Sequence, residues 1–306
     1  MDRPYILHMF TPGRQMSPFD INMAADAGYQ IVVPYSDVGA SSITGLTQDV
    51  VFSRGPTGVS RTGIFIGGRD AIHAADMLDK SVKAMVPPFT VSVMADPSGS
   101  YTTAAAMIAS VEAALQREHG HDLTGQKVVV IGGAGPVGRI ACVLAARAGA
   151  HVHLSNRDGL VEAETAAGVT GVRFGVTIKG VSGESRETVR ESLADADVLL
   201  ACAAAGVQVI SAEDLVYARQ LKVAADVNAV PPAGIAGVGV MDSGVPLPAG
   251  DAVGIGALAI GNVKYQTQHR LLVQMHDSHT PLVLSFPEAF DTARQFLREQ
   301  ASGRAA

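Results

Sequence analysis

Two periods of apolar and polar positions alternate along this chain. Short, unbroken apolar runs of strand length recur between longer stretches with helical spacing. Residues 5–10 and 30–34 predict two short strands. Between them, Ser17-Pro18-Phe19-Asp20 reads as a helix start, and Ile21, Met23, Ala24 and Ala27 carry its apolar stripe. Thr62–Ile66 predicts a strand closing on Gly67-Gly68, residues 71–85 a helix ended by Pro87-Pro88, and residues 91–95 a further strand. The first hundred residues therefore read as a small α/β domain. A polar stretch from Asp96 to Thr103 leads into a helix over about 104–117. Positions 104–109 are all apolar and mostly small, so this helix should be buried all round, as a connector between two domains would be.

The strongest pattern follows. Val128-Val129-Val130-Ile131 predicts a buried strand, Gly132-Gly133-Ala134-Gly135-Pro136-Val137-Gly138 a turn, and Ile140–Ala146 a small-residue helix. A second strand over 150–154 ends in Ser155-Asn156-Arg157. The glycine spacing G-x-G-x-x-G, set between strand and helix, predicts dinucleotide binding. In this reading Gly133 permits the tight turn, Gly135 lets a pyrophosphate approach the backbone, and Gly138 lets helix pack on strand. Pro136 and Val137 begin the helix whose N-terminus faces the phosphates. The second strand ends without the Asp or Glu that usually bonds a ribose 2′-hydroxyl. Ser155, Asn156 and Arg157 suit a 2′-phosphate instead, which favours NADP over NAD. Asp158, turned inward, would favour NAD.

Beyond Arg157, residues 172–178 predict a strand, 187–194 a helix, 197–203 a strand ending at Gly206, and 221–227 another strand. Such alternation implies a doubly wound parallel sheet. Residues 234–261 read as glycine-rich and irregular, 263–275 and 287–300 as final helices, and 301–306 as a frayed end. Ligands of such sheets bind beyond the carboxyl ends of the strands. That places Ala203 and Ala204 along the ribose and nicotinamide. Asp226 and Asn228 either reach the nicotinamide and substrate, or Asp226 caps a turn and Asn228 takes an unusual backbone angle.

Composition narrows the classes. The chain has 306 residues, enough for about two domains. Apolar residues are 47%, and 33 glycines suit close helix-on-sheet packing. A net charge of −6 without a basic block argues against a nucleic-acid partner. No secretory leader or membrane-length apolar run stands out, so a cytoplasmic protein is expected. Cys142 and Cys202 read as buried, reduced thiols. No G-x-S-x-G elbow or H-E-x-x-H is present. The pairs His119/His121 and His276/His279 read as solvated, His151 and His153 as structural, and no metal site is expected.

Longer strings carry a resemblance. Residues 6–9 with 17–20, 61–68, 95–100, 226–235, 254–258 and 261–268 closely resemble the NAD(P)-dependent methylene-tetrahydromethanopterin dehydrogenases of methylotrophic bacteria, and the likeness covers almost the whole chain. The resemblance implies a Rossmann-type NADP domain over 105–271 and a smaller α/β pterin domain over 1–104 completed by 272–306. It implies hydride transfer from the carrier's methylene carbon to C4 of the nicotinamide, in one-carbon (formaldehyde) oxidation. It also implies a homo-oligomer whose order it does not fix, a trimer or hexamer being a guess, with tetrahydromethanopterin as carrier substrate and no membrane partner. By the same likeness Asp20 would accept pterin N–H groups beside the developing cation. Asp96, Ser100, Thr102 and Asn228 would line the substrate side, and Lys264 would reach the carrier. Plainer readings stand beside these: a helix N-terminal charge for Asp20 and a surface charge for Lys264. Some members lack an arginine after the second strand and use both cofactors, so Arg157 points to NADP. The same chemistry on tetrahydrofolate, an NADPH-dependent pterin reductase and an NADP(H)-sensing module are the competing functions.

Overall fold

A computed structural model describes residues 3–248 and 250–304. The chain divides into two compact units, Met1–Thr102 with Tyr265–Thr292 and Thr103–Lys264 with Ala293–Ala306. The first contains β1 (Ile6–Phe10), α1 (Pro18–Asp26), β2 (Ile31–Tyr35), α2 (Ile43–Phe52), the short turn α3 (Pro56–Val59), β3 (Thr62–Ile66), α4 (Ala71–Ala84) and β4 (Ser92–Ala95). A helix α5 (Ser100–Ala114) leads into the second unit and closes in a π-helical turn, Leu115–His119. There follow β5 (Lys127–Ile131), α6 (Pro136–Arg147), β6 (His151–Asn156), α7 (Leu160–Phe174), β7 (Lys179–Ser182), α8 (Arg186–Leu193), β8 (Val198–Ala201), α9 (Ala212–Leu215), β9 (Val223–Asp226), β10 (Ser243–Pro246) and β11 (Val253–Ile255). Last come α10 (Ala257–Asp277), β12 (Val283–Leu284) and α11 (Phe286–Arg304).

The first unit is built on a five-stranded sheet, β12-β4-β3-β1-β2, with every pairing parallel. Its interior strands β3 and β4 are buried at every position, as the unbroken apolar runs require. At the edge strand β2, Pro34 costs no ladder bond on its outer side. The helix α5 starts at Ser100, four residues earlier than its small-residue run suggested. Asp96 caps it: the carboxylate accepts the N–H groups of Tyr101 (2.9 Å) and Thr102 (3.1 Å) and the Thr102 hydroxyl (2.6 Å). Ala104–Ala109 are buried without a break.

The second sheet runs β10-β11-β9-β8-β5-β6-β7, parallel except where β10 pairs antiparallel with β11. Counted within the unit, its parallel part has the order 3-2-1-4-5-6 of doubly wound dinucleotide folds, reversing between β5 and β8. One face packs Val129, Ile131, Leu199, Ala201 and Ala224 against Leu193, Leu215, Ile235 and Val238.

Three predicted segments are corrected. Residues 172–178 are not a strand: α7 holds through Phe174 and stops at left-handed Gly175 (φ 68°). Its buried positions, Ala163, Ala166, Ala167, Thr170 and Phe174, recur at helical spacing, so the valines' strand preference loses to an apolar stripe. The segment 234–261 is irregular only in part: it also supplies β10, β11 and the first turn of α10. A Cβ on Gly256 would run into the Gly239 carbonyl oxygen and the Val240 main chain, so this glycine marks a close backbone approach. The expected fraying of 301–306 does not occur through Arg304, which is helical, while Ala305 and Ala306 lie outside the described residues.

Candidate active site

The second unit carries a cavity of about 540 Å³ over the carboxyl ends of β5, β6, β7 and β8, at the point where the strand order reverses. Ile131, Gly132, Ala134 and Gly135 line it from β5, Ser155, Asn156 and Arg157 from β6, and Cys202, Ala203 and Ala204 from β8. Left-handed backbone falls at Gly132 (φ 73°), one residue before the glycine expected to turn the chain. Gly133 answers to crowding instead: a Cβ there would stand 2.7 Å from Leu154 Cγ. At Gly138 a Cβ would meet the Gly132 carbonyl oxygen at 2.6 Å, which is the close packing of α6 on the turn. No side chain caps α6 at Gly135, whereas Asp70, Ser185 and Ser211 cap α4, α8 and α9. An uncapped 12-residue helix opening beside a cavity fits a dinucleotide pyrophosphate. Gly133, Pro136, Val137 and Gly138 shape the turn without lining the cavity.

The ribose end shows a division of labour. Ser155 is buried, and Asn156 Oδ1 accepts the Asp158 N–H at 3.1 Å, fixing the turn. Arg157 is 90% exposed and lies 3.6 Å from the Asp158 carboxylate. Arg186, Ser185 and Glu184, which sequence reasoning passed over, line the same cavity from β7. Only the strand pairing β6–β7 reveals them as neighbours of Arg157.

Asp226 and Asn228 do not line the cavity. Asp226 accepts N–H groups of Asn228 (2.9 Å), Gly234 (2.7 Å) and Ile235 (3.1 Å). Burial raises its carboxyl above the usual range, and those three donors oppose the shift. Asn228 accepts from Gly206 and Val230, both at 3.0 Å, and donates to the Pro232 carbonyl at 2.8 Å. Asp226 thus caps its own loop, whereas Asn228 does not take the unusual backbone angle expected of it: the described non-glycine residues with positive φ are Asp37 and Ser98. Environment favours the protonated thiols: burial pushes Cys142 up, and burial with the nearby Asp226 charge pushes Cys202 up to about 12. Cys142 is fully buried, and Cys202 is only partly so.

The first unit has its own cavity, about 960 Å³, over the ends of β1, β3 and β4. The loop Thr11–Ser17 and the start of α1 wall one side, and Gly68, Arg69, Asp70, His73 and Ser98 the other. Asp20 lines it while only 2% exposed, and the Gln268 side-chain amide donates to its Oδ1 at 2.7 Å. Thr267 and Gln268 are fully buried polar residues of α10, and the sequence reading gave neither a role. Among the other expected substrate residues, Asp96 and Thr102 are bonded to each other in the cap of α5 and do not line this cavity. Ser100 is buried with no partner for its hydroxyl among the described residues. Lys264 is half-buried on α10, the last residue of the second unit's main segment. The histidine His276 is not solvated as expected: it stacks on Tyr5 (3.8 Å between centroids) and meets Tyr29 edge-on. Among the described residues no group of three His, Cys, Asp or Glu could hold a metal, and no helix is long and apolar enough to cross a membrane.

Fold and cavity define a Rossmann-type dinucleotide-binding protein with a second parallel α/β unit. Shikimate 5-dehydrogenase of Listeria monocytogenes, solved with shikimate and NAD, shares this fold (18% identity, TM-score 0.52, 96% of each chain). So does 5-ketofructose reductase of Gluconobacter (18% identity, TM-score 0.51, 96% of this chain and 99% of that one). Residues 18–98 match the family model for the N-terminal region of methylene-tetrahydromethanopterin dehydrogenase. The chain is 50% identical over 288 residues to the NAD(P)-dependent methylenetetrahydromethanopterin dehydrogenase of Methylorubrum extorquens, covering 94% of this chain and 97% of that one. It is 30% identical over 273 residues to the bifunctional protein MdtA of the same organism, covering 89% of this chain and 92% of that one. The chain belongs to the NAD(P)-dependent methylenetetrahydromethanopterin dehydrogenase family.

Proposed function

We propose that this protein oxidises methylene-tetrahydromethanopterin to the methenyl form, passing a hydride to NADP or NAD. Family membership over nearly the whole chain carries the reading. The buried carboxylate of Asp20 in the first unit's cavity supports it. The methylene carbon lies between two nitrogens, so loss of hydride leaves an amidinium cation that both nitrogens share. No proton moves at the reacting carbon, and no general acid or base is required. NADP, when bound, supplies the C4 position that takes the hydride.

The chain's own residues bind, orient and stabilise charge. The main chain of Gly132–Gly135 and the first turn of α6 hold the pyrophosphate. Asp20 accepts pterin N–H groups and places negative charge near the developing cation, where a fixed, poorly hydrated carboxylate acts most strongly. The Gln268 amide orients that carboxylate. Lys264 is proposed to contact the carrier. Asp96 and Thr102 act through the cap of α5, and Asp226 and Asn228 through the loop they close, so these four are positioning residues in this reading. A cytoplasmic homo-oligomer belongs to the same proposal. Val161, Val169 and Val172, exposed along α7, offer a face for a second copy, and the native mass of the purified protein reports it.

The test compares NADP reduction with methylene-tetrahydromethanopterin and with methylene-tetrahydrofolate, read by the absorbance of the reduced nicotinamide. Turnover with the first carrier is expected to dominate. Turnover with the folate carrier alone would overturn the carrier assignment, and silence with both would overturn the dehydrogenase reading.

A further inference from the structure

The loops after β6 and β7 form one wall of the dinucleotide cavity. The strands pair in parallel, with Asn156 opposite Ser182, and the Gly183 N–H donates to the Asn156 carbonyl at 2.8 Å. A Cβ on Gly183 would stand 2.4 Å from Ser155 Oγ, so a glycine is what lets the second loop press against the ribose-reading serine. Glu184 reaches back over the first loop, its Oε2 lying 3.6 Å from where a Cβ on Gly159 would be. Arg157 and Arg186 thus flank the same edge of the same cavity, one from each loop.

The two guanidinia are held differently. Arg157 is 90% exposed, and its ion pair with the 65% exposed Asp158 is loose at 3.6 Å. Such a pair contributes little to fixing a side chain. Arg186 is anchored: its Nη1 donates to the fully buried Asp214. That carboxylate is itself set by the Ser211 N–H (2.9 Å), the Ser211 hydroxyl (2.8 Å) and Arg190 Nε (2.8 Å). These bonds keep the Asp214 carboxyl below its ordinary range despite its burial, so the anchor stays charged. The Arg186 side chain is still 53% exposed, which leaves donors of its planar fork free toward the cavity.

We propose that Arg186, preset by Asp214, is the principal reader of the 2′-phosphate of NADP, with Arg157 closing on it from the neighbouring loop. The inference rests on the dinucleotide reading and deepens it. A dianionic phosphate monoester is matched in charge by two guanidinia, and one held in place in advance loses less entropy on binding. Glu184, on the same wall, is suited to accept the free ribose hydroxyls of NAD. The subsite therefore carries a reader for each cofactor, and either is admitted.

Calorimetry with adenosine 2′,5′-bisphosphate and adenosine 5′-monophosphate tests this without any turnover. Arg186→Gln is expected to weaken the bisphosphate about tenfold or more and leave the monophosphate unchanged, because only the former carries the phosphate being read. Arg157→Gln should weaken it less, and Glu184→Gln should tighten it. Arg186→Lys, which keeps the charge and loses the fork, should fall between wild type and Arg186→Gln, and it guards against a folding defect in the latter. An equal loss for both nucleotides would overturn the proposal by assigning Arg186 to the adenine or the 5′-phosphate. No loss for either would overturn it too. Failure of the wild-type protein to bind either nucleotide would sink the dinucleotide reading itself.

Discussion

The cavity over the second sheet is walled by main chain and small side chains, Gly132, Ala134, Gly135, Ala203 and Ala204, with charge confined to its ribose end. The cavity over the first sheet is walled by Arg14, Asp20, Arg69, Asp70 and His73. Both lie beyond the carboxyl ends of parallel strands, so topology places them alike. What differs is the means of recognition. A pyrophosphate is met by N–H groups and a helix dipole, which any sequence that permits the turn supplies. The pterin proposed for the first cavity would be met by particular side chains, and these have to be gathered. Asp20 and Gln268 bond at 2.7 Å across 248 positions of sequence.

The largest effect should come from the gathered carboxylate. Asp20→Asn keeps an oxygen for the Gln268 amide and removes the charge. It is expected to lower kcat by about a hundredfold to a thousandfold, the range for one preorganised electrostatic group. NADP affinity and melting temperature should not move. A variant with wild-type kcat would break the comparison, because the first cavity would then be working through its shape.

A glycine of the second cavity should show the opposite profile. At Gly138 an added Cβ would meet main chain, the Gly132 oxygen at 2.6 Å and Gly133 Cα at 2.7 Å, and neither can swing aside. Gly138→Ala should cost about 1–3 kcal/mol of stability, as overpacking does. It should also weaken NADP by about tenfold, since the turn that presents the N–H groups must shift. Carrier affinity should be unaffected. Wild-type NADP binding by this variant would mean that the main-chain cradle is more forgiving than its spacing implies.

The same contrast explains what could be read from the chain alone. Glycine spacing, strand runs and the order of elements are local, and they announced the dinucleotide fold and part of its cavity, the stretch lined by Gly135, Ser155, Asn156, Arg157, Ala203 and Ala204. The run Val128–Ile131 is apolar because both faces of β5 are covered, and that needs no partner to be named. Contacts across strands and loops are not local. Arg186 sits 29 residues beyond Arg157, with α7 between, and only the β6–β7 pairing joins them. The motif also misplaced the left-handed turn by one residue, because Gly132 and Gly133 are adjacent and spacing alone does not say which takes positive φ. Asp226 and Asp96 show the other limit. Each stands at the end of a parallel strand, where ligands bind, yet each carboxylate is filled by backbone donors of its own loop. Sequence places such a residue near a site and leaves open whether its lone pairs are available.

The smallest effect tests whether ionisable side chains of the second sheet stay out of its ligand chemistry. His153 lies on β6, two residues before Ser155, with its Nδ1 buried and without a partner among the described residues. Burial first, and then the charges of Lys127 and Lys179, lower it from its ordinary 6.5 to about 4, while Asp195 pulls weakly the other way and His151 adds to the lowering. The unfolded chain therefore takes up a proton as pH falls through about 6.5, and the native chain only near about 4. Between those values the unfolded state binds more protons, so stability is lost on acidification, and below the lower value no more is lost. Asp226 acts in the opposite sense, its raised carboxyl favouring the native state as pH falls. Comparing His153→Phe with wild type cancels that contribution. The variant's melting temperature should fall less than wild type's between pH 7 and pH 5, while its affinity for NADP at pH 7 stays unchanged. Parallel melting curves would show that His153 is not the group sensing acid. A loss of NADP affinity would draw the second cavity's wall back toward side-chain recognition.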